Sequence, residues 1–271
     1  MCGRYSALTE DEIIEIREIL RNLTLGLAVD EFENAGDSSR ESIHSDDQFG
    51  LPAENTTHDA FSVDGAQSSG LSTGVIRREV FPTNYSPVVT CNGDEFAMQN
   101  ARFGFEKWDG KGVIINARAE TVKDKSMFKG RIDKGRCVIP TSGYFEWKTQ
   151  DTDSGEKGKK KKIKHLIKDK QGNLLFMAGL WREGLEGKEF VVITKEPVGS
   201  IVDIHNRMPV MLRTDQLESW LSGEMSIEEL SGLEFECLGT PMEEPSYNNL
   251  HVDKDNGGEQ QTNANDQISL F

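Results

Sequence analysis

The sequence predicts one domain of mixed helix and strand, on three observations. A capped helical stretch stands near the start, β-prone runs fill the middle, and two short helical stretches follow before the chain turns polar. The chain has 271 residues, enough for one large domain or two small ones.

Thr9-Glu10-Asp11-Glu12 is a capping box, in which Thr9 caps and Glu12 reaches back. Ile13, Ile16, Leu20 and Leu23 recur behind it, so the spacing predicts a helix of about four turns with a core-facing stripe. Residues 33–74 are rich in Ser, Asp, Asn, Gly and Thr with scattered apolar side chains, which predicts a long disordered insertion. Its histidines, His44 and His58, read as solvated loop. Order returns near Val75. Phe81-Pro82-Thr83, with Pro87, Val88 and Val89, reads as an extended segment leading into a strand. Residues 95–105 and 112–119 read as strands separated by Trp108-Asp109-Gly110, and 136–140 as another. Lys157 and Lys159 to Lys162 form a basic run in a polar loop, a solvated hairpin tip that could also touch a phosphate backbone. Residues 163–167 and 174–181 read as a hairpin across Gln171-Gly172-Asn173, with His165 as a structural histidine. Residues 190–194 are a short buried strand. Thr214 caps a helix through Leu217, Trp220 and Leu221; residues 226–230 give a second helix and 235–238 a strand. The domain closes by 250, and residues 251–266 read as a flexible tether.

Composition narrows the class. Hydrophobic content is 36%, low for a purely globular chain. No run of about 18 apolar residues exists, so no membrane-spanning helix is expected. The start lacks a basic-then-apolar signal region, which predicts a cytoplasmic protein. Cys2, Cys91, Cys137 and Cys237 are scattered with no C-x-x-C pair, so neither a zinc site, a disulfide framework nor a cofactor is expected. The net charge of −15 argues against nucleic acid until its distribution is considered. Residues 30–74 hold ten acids and one base, and 251–271 hold four acids and one lysine, leaving −3 for the rest. A near-neutral domain can still carry a basic groove.

Five residues stand out chemically. If Met1 is removed, Cys2 offers an α-amine and a thiol on adjacent carbons. The amine condenses with an aldehyde to an imine, and the thiol closes on the imine carbon to a thiazolidine. An α-amine titrates near ~7.7–8.0 and a thiol near ~8.5, so both are almost ready at neutral pH. Gly3 removes bulk beside the site, and Arg4 supplies a fixed cation. Alone, Cys2 also reads as an incidental residue on a frayed terminus. Asn116 and Arg118 lie where an apolar strand turns polar, either as site residues or as a turn residue and a surface cation. Glu146 stands between aromatics in a β-prone run, either a desolvated acid suited to proton transfer or an exposed strand residue. His205 precedes Asn206, Arg207, Met208 and Pro209, and a histidine in a fixed polar turn is a candidate acid or base. Ser142 lies outside any G-x-S-x-G elbow, so a serine hydrolase is unsupported.

Four motifs occur in order: Cys2-Gly3-Arg4-Tyr5, Asn116-Ala117-Arg118-Ala119-Glu120-Thr121, Gly143-Tyr144-Phe145-Glu146-Trp147 and His205-Asn206-Arg207-Met208-Pro209. Together they resemble the SOS response-associated peptidase family, the abasic-site processing proteins. The resemblance covers about residues 2–25 and 75–250. It implies an α+β domain, a barrel-like branched β-structure with surrounding helices, acting as a monomer on single-stranded DNA. It implies that Cys2 traps the aldehyde of an abasic site as a thiazolidine crosslink, with lyase- or peptidase-like activity expected. Asn116 would position the amine, Glu146 shuttle protons, and His205 assist ring opening and reversal. Arg4 and Arg118 would hold phosphates, and Phe103 and Trp108 would stack on bases. Core packing is the other role open to Phe103. Departures from the family pattern are Arg78-Glu79 before Val80, Phe103-Gly104 in place of Trp-Gly, and Pro241-Met242-Glu243.

Two further readings come from different classes. One is an N-terminal-nucleophile hydrolase cutting amides, although Met1 alone needs no autoproteolysis. The other is a non-catalytic single-stranded-DNA-binding adaptor at the replication fork. The end, Gln267-Ile268-Ser269-Leu270-Phe271, resembles the peptide by which bacterial repair proteins dock on the sliding clamp, with Gln267, Leu270 and Phe271 as anchors. That likeness implies a bacterial source.

Overall fold

A computed structural model describes residues 2–26, 79–93, 95–151 and 160–242. The insertion expected at 33–74, Lys157, Lys159 and the clamp-like residues Gln267, Leu270 and Phe271 lie outside the described residues.

The capping box forms as its sequence predicts. The Glu12 N–H donates to Thr9 Oγ1 at 3.3 Å, and the Thr9 N–H donates to Glu12 Oε2 at 2.8 Å. Helix α1, Glu10–Thr24, follows and buries Ile16, Ile19, Leu20 and Leu23. Ile19 joins the expected stripe, whereas Ile13 stays half-buried at its edge. Three shorter helices are α2 (Ser126–Ile132), α3 (Leu217–Ser222) and α4 (Ile227–Gly232). A 3-10 turn, Thr214–Gln216, leads into α3, so Thr214 opens that turn rather than capping the helix.

The strands are β1 (Tyr5–Ser6), β2 (Glu79–Val80), β3 (Tyr85–Asn92), β4 (Glu95–Phe103) and β5 (Phe105–Glu106). They continue as β6 (Val113–Ile114), β7 (Asn116–Arg118), β8 (Arg136–Thr141), β9 (Tyr144–Asp151) and β10 (Lys160–Asp169). The last are β11 (Leu175–Gly184), β12 (Gly187–Lys195), β13 (Met208–Pro209), β14 (Met211–Leu212) and β15 (Cys237–Pro241). In the larger sheet β12, β4, β3, β8 and β11 follow one another, and β11 pairs back to β12. That return closes a five-stranded barrel, as the barrel-like α+β class predicts. The smaller sheet runs β15-β10-β9-β1-β2.

Alternation along each barrel strand divides the core in two. On β12, Val191 and Ile193 join a cluster with Ile16, Leu20, Trp220 and Leu230 of the helices. Phe190 and Val192 join Cys2, Tyr5, Tyr144 and Ile167 of the smaller sheet. Arg136 fastens the helical side. Its Nε donates to the Ile132 carbonyl at 2.7 Å, and its Nη1 donates to the carbonyls of Trp220 at 3.2 Å and Met225 at 2.6 Å.

Three expectations need correction. Residues 163–167 and 174–181 are not a hairpin: β10 pairs with β9 and β15, while β11 pairs with β8, β12 and β14. Leu174 to Ala178 are all buried, so β11 belongs in the barrel wall, while β10 alternates as an outer strand does. Asp169 Oδ2 accepts from the N–H groups of Gln171 and Asn173, both at 3.2 Å, and turns the chain from one sheet to the other. The strand expected at 95–105 breaks at Gly104, whose φ is 111°. A Cβ there would stand 2.7 Å from Cβ of Val113, so only glycine fits. The final strand begins two residues later than expected, at Cys237.

Thr83 occupies the left-handed region, with φ 76°. It follows Pro82 in a turn where the Asn84 N–H donates to the Phe81 carbonyl at 3.0 Å. That conformation costs a β-branched residue about 1–2 kcal/mol, partly offset by the entropy glycine loses on folding. Thr83→Gly is therefore expected to raise stability by about 0.5–1 kcal/mol. A urea midpoint that falls would show the threonine side chain contributing more than its backbone costs.

Candidate active site

The amino terminus enters the smaller sheet as an inner strand. Tyr5 pairs with Val80 on one side and Tyr144 on the other. The Ser6 N–H donates to the Gly143 carbonyl at 2.8 Å, and the Phe145 N–H donates to the Arg4 carbonyl at 2.9 Å. The Thr141 hydroxyl donates to the Ser6 carbonyl at 2.8 Å. Cys2 is wholly buried in the cluster that holds Tyr5, Tyr144 and Phe103. Burial pushes its thiol pKa well up, and the nearby Glu146 carboxylate pushes it further.

Glu146 and His205 come together as the motifs imply. Glu146 pairs across the ladder with His165, and Tyr144 with Ile167, so these share one face. Glu146 is buried, and burial pushes its carboxyl up. Its Oε2 lies 3.7 Å from His205 Nε2. The flanking aromatics are not what desolvates it. Phe145 and Trp147 point to the opposite face, as strand neighbours must; the inward cluster does the desolvating. His165 is buried on the same face, with Nδ1 3.0 Å from the Ile163 carbonyl, as a structural histidine would be.

His205 lies beyond a 3-10 turn, Gly199–Ile201. Its Nδ1 lies 3.1 Å from both the backbone N–H and the carbonyl of Arg207, and the tautomer decides which it bonds. The Arg207 guanidinium is bidentate to Glu120, with both bonds at 2.8 Å, and its Nη2 also donates to the Thr194 carbonyl at 2.6 Å. This pair holds the Glu120 carboxyl below its ordinary value. Asn116 pairs with Val192 of β12, and Arg118 pairs with Thr194. Both amide atoms of Asn116 are buried without a hydrogen-bond partner among the described residues. Arg118 is exposed.

The outer face of the smaller sheet carries cations and rings. Arg4 lies 4.5 Å from the Phe81 ring centroid and 4.9 Å from that of Trp147, with Nη1 3.8 Å from Glu79 Oε2. Lys164 bonds Glu79 and sits 4.2 Å over Phe145. The Arg4 side chain keeps 40% of its surface exposed. Among the described residues no group of three or more His, Cys, Asp or Glu gathers as a metal site requires.

Two base-stacking candidates fare differently. Phe103 is wholly buried, 5.6 Å from Tyr5 and 5.1 Å from Phe190 between ring centroids. It packs the core and cannot meet a base. Trp108 is 96% exposed, but in the turn joining β5 to β6, near Glu189. Arg118 and Arg207 sit at Thr194, five positions along β12, or about 17 Å. Phe81, Trp147, Lys164, Glu120 and Arg207 drew no role from the sequence. Three of the five sit in the quoted motifs; Phe81 and Lys164 show themselves only through their placement beside Arg4 and opposite Trp147.

The assembled groups are a buried neutral thiol, a carboxyl–imidazole pair, an unpartnered amide and an exposed cationic, aromatic rim. Such a set has the groups needed to move a proton at a bound electrophile.

The chain is similar to known proteins over part of its length. Abasic site processing protein YobE of Bacillus subtilis is 39% identical over 114 residues, which is 40% of this chain and 49% of that one. Abasic site processing protein YMR114C of Saccharomyces cerevisiae is 30% identical over 233 residues, 82% of this chain and 55% of that one. Abasic site processing protein YedK of Escherichia coli is 33% identical over 128 residues, 46% of this chain and 54% of that one. The chain thus spans about half the length of the relatives it matches. A crystal structure of a Bacteroides thetaiotaomicron protein has a TM-score of 0.51 at 25% identity, covering 61% of this chain and 77% of that one. One from Bordetella bronchiseptica has a TM-score of 0.53 at 17% identity, covering 89% of this chain and all of that one, a likeness of fold. The family model described as SOS response associated peptidase (SRAP) matches residues 1–255, and the chain belongs to that family.

Proposed function

We propose that this protein acts on abasic sites in single-stranded DNA and joins them covalently through Cys2 once Met1 is removed. The names of its relatives support abasic-site DNA as substrate. The observation that carries the chemistry is the buried Glu146–His205 pair, 3.7 Å apart, whose carboxylate acts on the Cys2 thiol.

The order of steps follows from the protonation states. Burial keeps the thiol protonated, so the α-amine leads. The amine attacks the open-chain aldehyde carbon to give a carbinolamine. Protonation of its hydroxyl by the Glu146 carboxyl expels water, and the iminium so formed returns its proton to that carboxylate to leave the imine. The sulfur then adds to the imine carbon. Its proton passes through Glu146 to the nitrogen, and the thiazolidine closes with loss of one water overall. His205, with its Nε2 3.7 Å from Glu146, assists the earlier opening of the sugar ring. The amide of Asn116 receives the terminal amine. Arg4 and the exposed Arg118 hold flanking phosphates, with Trp147 and Phe81 as stacking surfaces beside Arg4.

Incubation with abasic single-stranded DNA, followed by a denaturing gel, tests this reading. The wild type is expected to give a crosslink that needs no borohydride. Cys2→Ser keeps the amine, so it should form only an imine that borohydride traps. A form with an uncleavable amino-terminal extension should form neither. Stable crosslinking by Cys2→Ser equal to wild type would sink the thiazolidine mechanism. Amide cleavage without any crosslink would favour the hydrolase, and binding alone the adaptor.

A further inference from the structure

We propose that Arg4 and Lys164 form one phosphate subsite for the single strand, and that the Glu79 carboxylate occupies it in the DNA-free protein. This deepens the proposed function and rests on its reading of single-stranded DNA as substrate. Glu79 pairs with Ser6 across the β1–β2 ladder, and Arg4 lies two residues before Ser6, so Arg4 and Glu79 share one face of the smaller sheet. Lys164 reaches the same place from β10, where it pairs with Trp147. Oε1 of Glu79 accepts from Lys164 Nζ, and Oε2 lies 3.8 Å from Arg4 Nη1. Oε2 is buried and accepts no hydrogen bond among the described residues. Two cations thus face two oxygens of one anion, and the two free oxygens of a phosphodiester suit the same pair. The cations do not depend on the carboxylate for their places. Arg4 lies against the rings of Phe81 and Trp147. Lys164 Nζ is 4.2 Å from the Phe145 ring centroid and 5.8 Å from that of Trp147. Glu79 is the movable member. It stands on β2, at the edge of the sheet, so its side chain can turn away without breaking the ladder. Partly exposed ion pairs contribute little to stability, so that turn costs little. A lone anion must displace a carboxylate that is always close by. A strand held elsewhere on the protein has the same advantage of proximity, so Glu79 favours an anchored strand over free anions.

Fluorescence anisotropy with an undamaged single-stranded oligonucleotide, read across salt concentrations, tests the subsite apart from the crosslink. Two cations and one carboxylate leave a single net positive charge at this spot, and Glu79→Gln leaves two. Glu79→Gln is therefore expected to tighten binding about 3- to 10-fold at about 0.1 M salt. It should also steepen the salt slope by about 0.7, the value of one more neutralised phosphate on a single strand. Lys164→Gln should weaken binding and flatten the slope by similar amounts. The double variant restores the wild-type charge and should bind close to wild type. Glu218→Gln removes an equal charge from an exposed position on α3, on the helical side of the barrel, and should change affinity less than about twofold. Glu79→Gln binding no tighter than wild type would overturn the proposal, and weaker binding would make the carboxylate a support for the cations. Equal tightening by Glu218→Gln would also overturn it, because the gain would come from net charge alone. If Glu79→Gln does not fold, an unchanged slope in Lys164→Gln overturns the proposal by itself. Variants that follow this pattern while the wild type forms no crosslink on abasic DNA would leave the subsite standing and remove the Cys2 chemistry. A wild type that crosslinks while every variant keeps its slope would remove the subsite alone.

Discussion

Glu146→Gln is expected to slow crosslink formation by about 10²- to 10³-fold while single-stranded-DNA affinity changes less than about twofold. The amide keeps the shape of the side chain but can neither give up nor take a proton. Every proposed step after amine attack passes a proton through this one carboxyl. The proposed binding face is instead the outer one, where Arg4, Phe81 and Trp147 are untouched by the change. Single-turnover rates against pH add a second check. Burial pushes the Glu146 carboxyl up, so the wild-type profile should bend at a pH above the ordinary carboxylate range. Glu146→Gln should lose that bend. Stability should move the other way. An acid whose folded pKa is raised adds stability below its unfolded value and loses it as pH rises through the folded value. Glu146→Gln should therefore melt above wild type at neutral pH, and the gap should close as pH falls below about 4. Wild-type rates across pH would remove Glu146 from the chemistry.

Arg136→Leu is expected to cost about 3–4 kcal/mol of stability and lower Tm by roughly 10 °C. Ile132 ends α2, Trp220 lies in the last turn of α3, and Met225 precedes α4. Carbonyls at helix C-termini, as at Ile132 and Trp220, carry partial negative charge, and the Met225 carbonyl stands in the loop before α4. One buried guanidinium satisfies all three and lies 4.4 Å from the Trp220 ring centroid. Burial lowers its pKa, a cost that these bonds offset. Leucine fills part of the volume and removes the donor from the Ile132 and Met225 carbonyls, while the Trp220 carbonyl keeps the Gly223 N–H at 3.3 Å. Arg136→Lys should lose less, because a point charge reaches some of the carbonyls. Thermal melts of the three proteins settle this, and a shift below about 2 °C for leucine would show that water reaches the carbonyls instead.

Much of the site was legible because its chemistry is carried by side-chain type at fixed spacing. Glu146 and His205 could be named without knowing that they meet. Where the reading failed, the missing quantity was register. Glu146 was expected to be desolvated by Phe145 and Trp147, yet a strand sends neighbours to opposite faces. The residues that bury it come from other elements. The same limit hid the rim: Lys164 means nothing beside Ile163 and His165, and becomes part of a cation–ring cluster only opposite Trp147. Phe103 offered two roles, and only the closure of the barrel around it decides for packing. The false hairpin at 163–181 has a related cause. Two β-prone runs joined by a glycine turn look adjacent, and nothing local tells that one is a barrel wall and the other an outer strand. The capping box of α1 succeeded because all its partners lie within four residues.

The placement of β1 bears on what happens after the proposed reaction. A DNA strand joined at Cys2 pulls on the protein whenever a polymerase or helicase moves against the adduct. The load enters at the end of a strand flanked by β9 and β2. A pull along β1 stretches the bonds from Ser6 to Gly143, from Phe145 to Arg4 and from Thr141 to Ser6 together. Tension of that kind shears several bonds in parallel instead of peeling them one at a time. The amino terminus is thus anchored as a tether as well as placed as a reagent, and the joint would resist mechanical extraction better than one made on a loop.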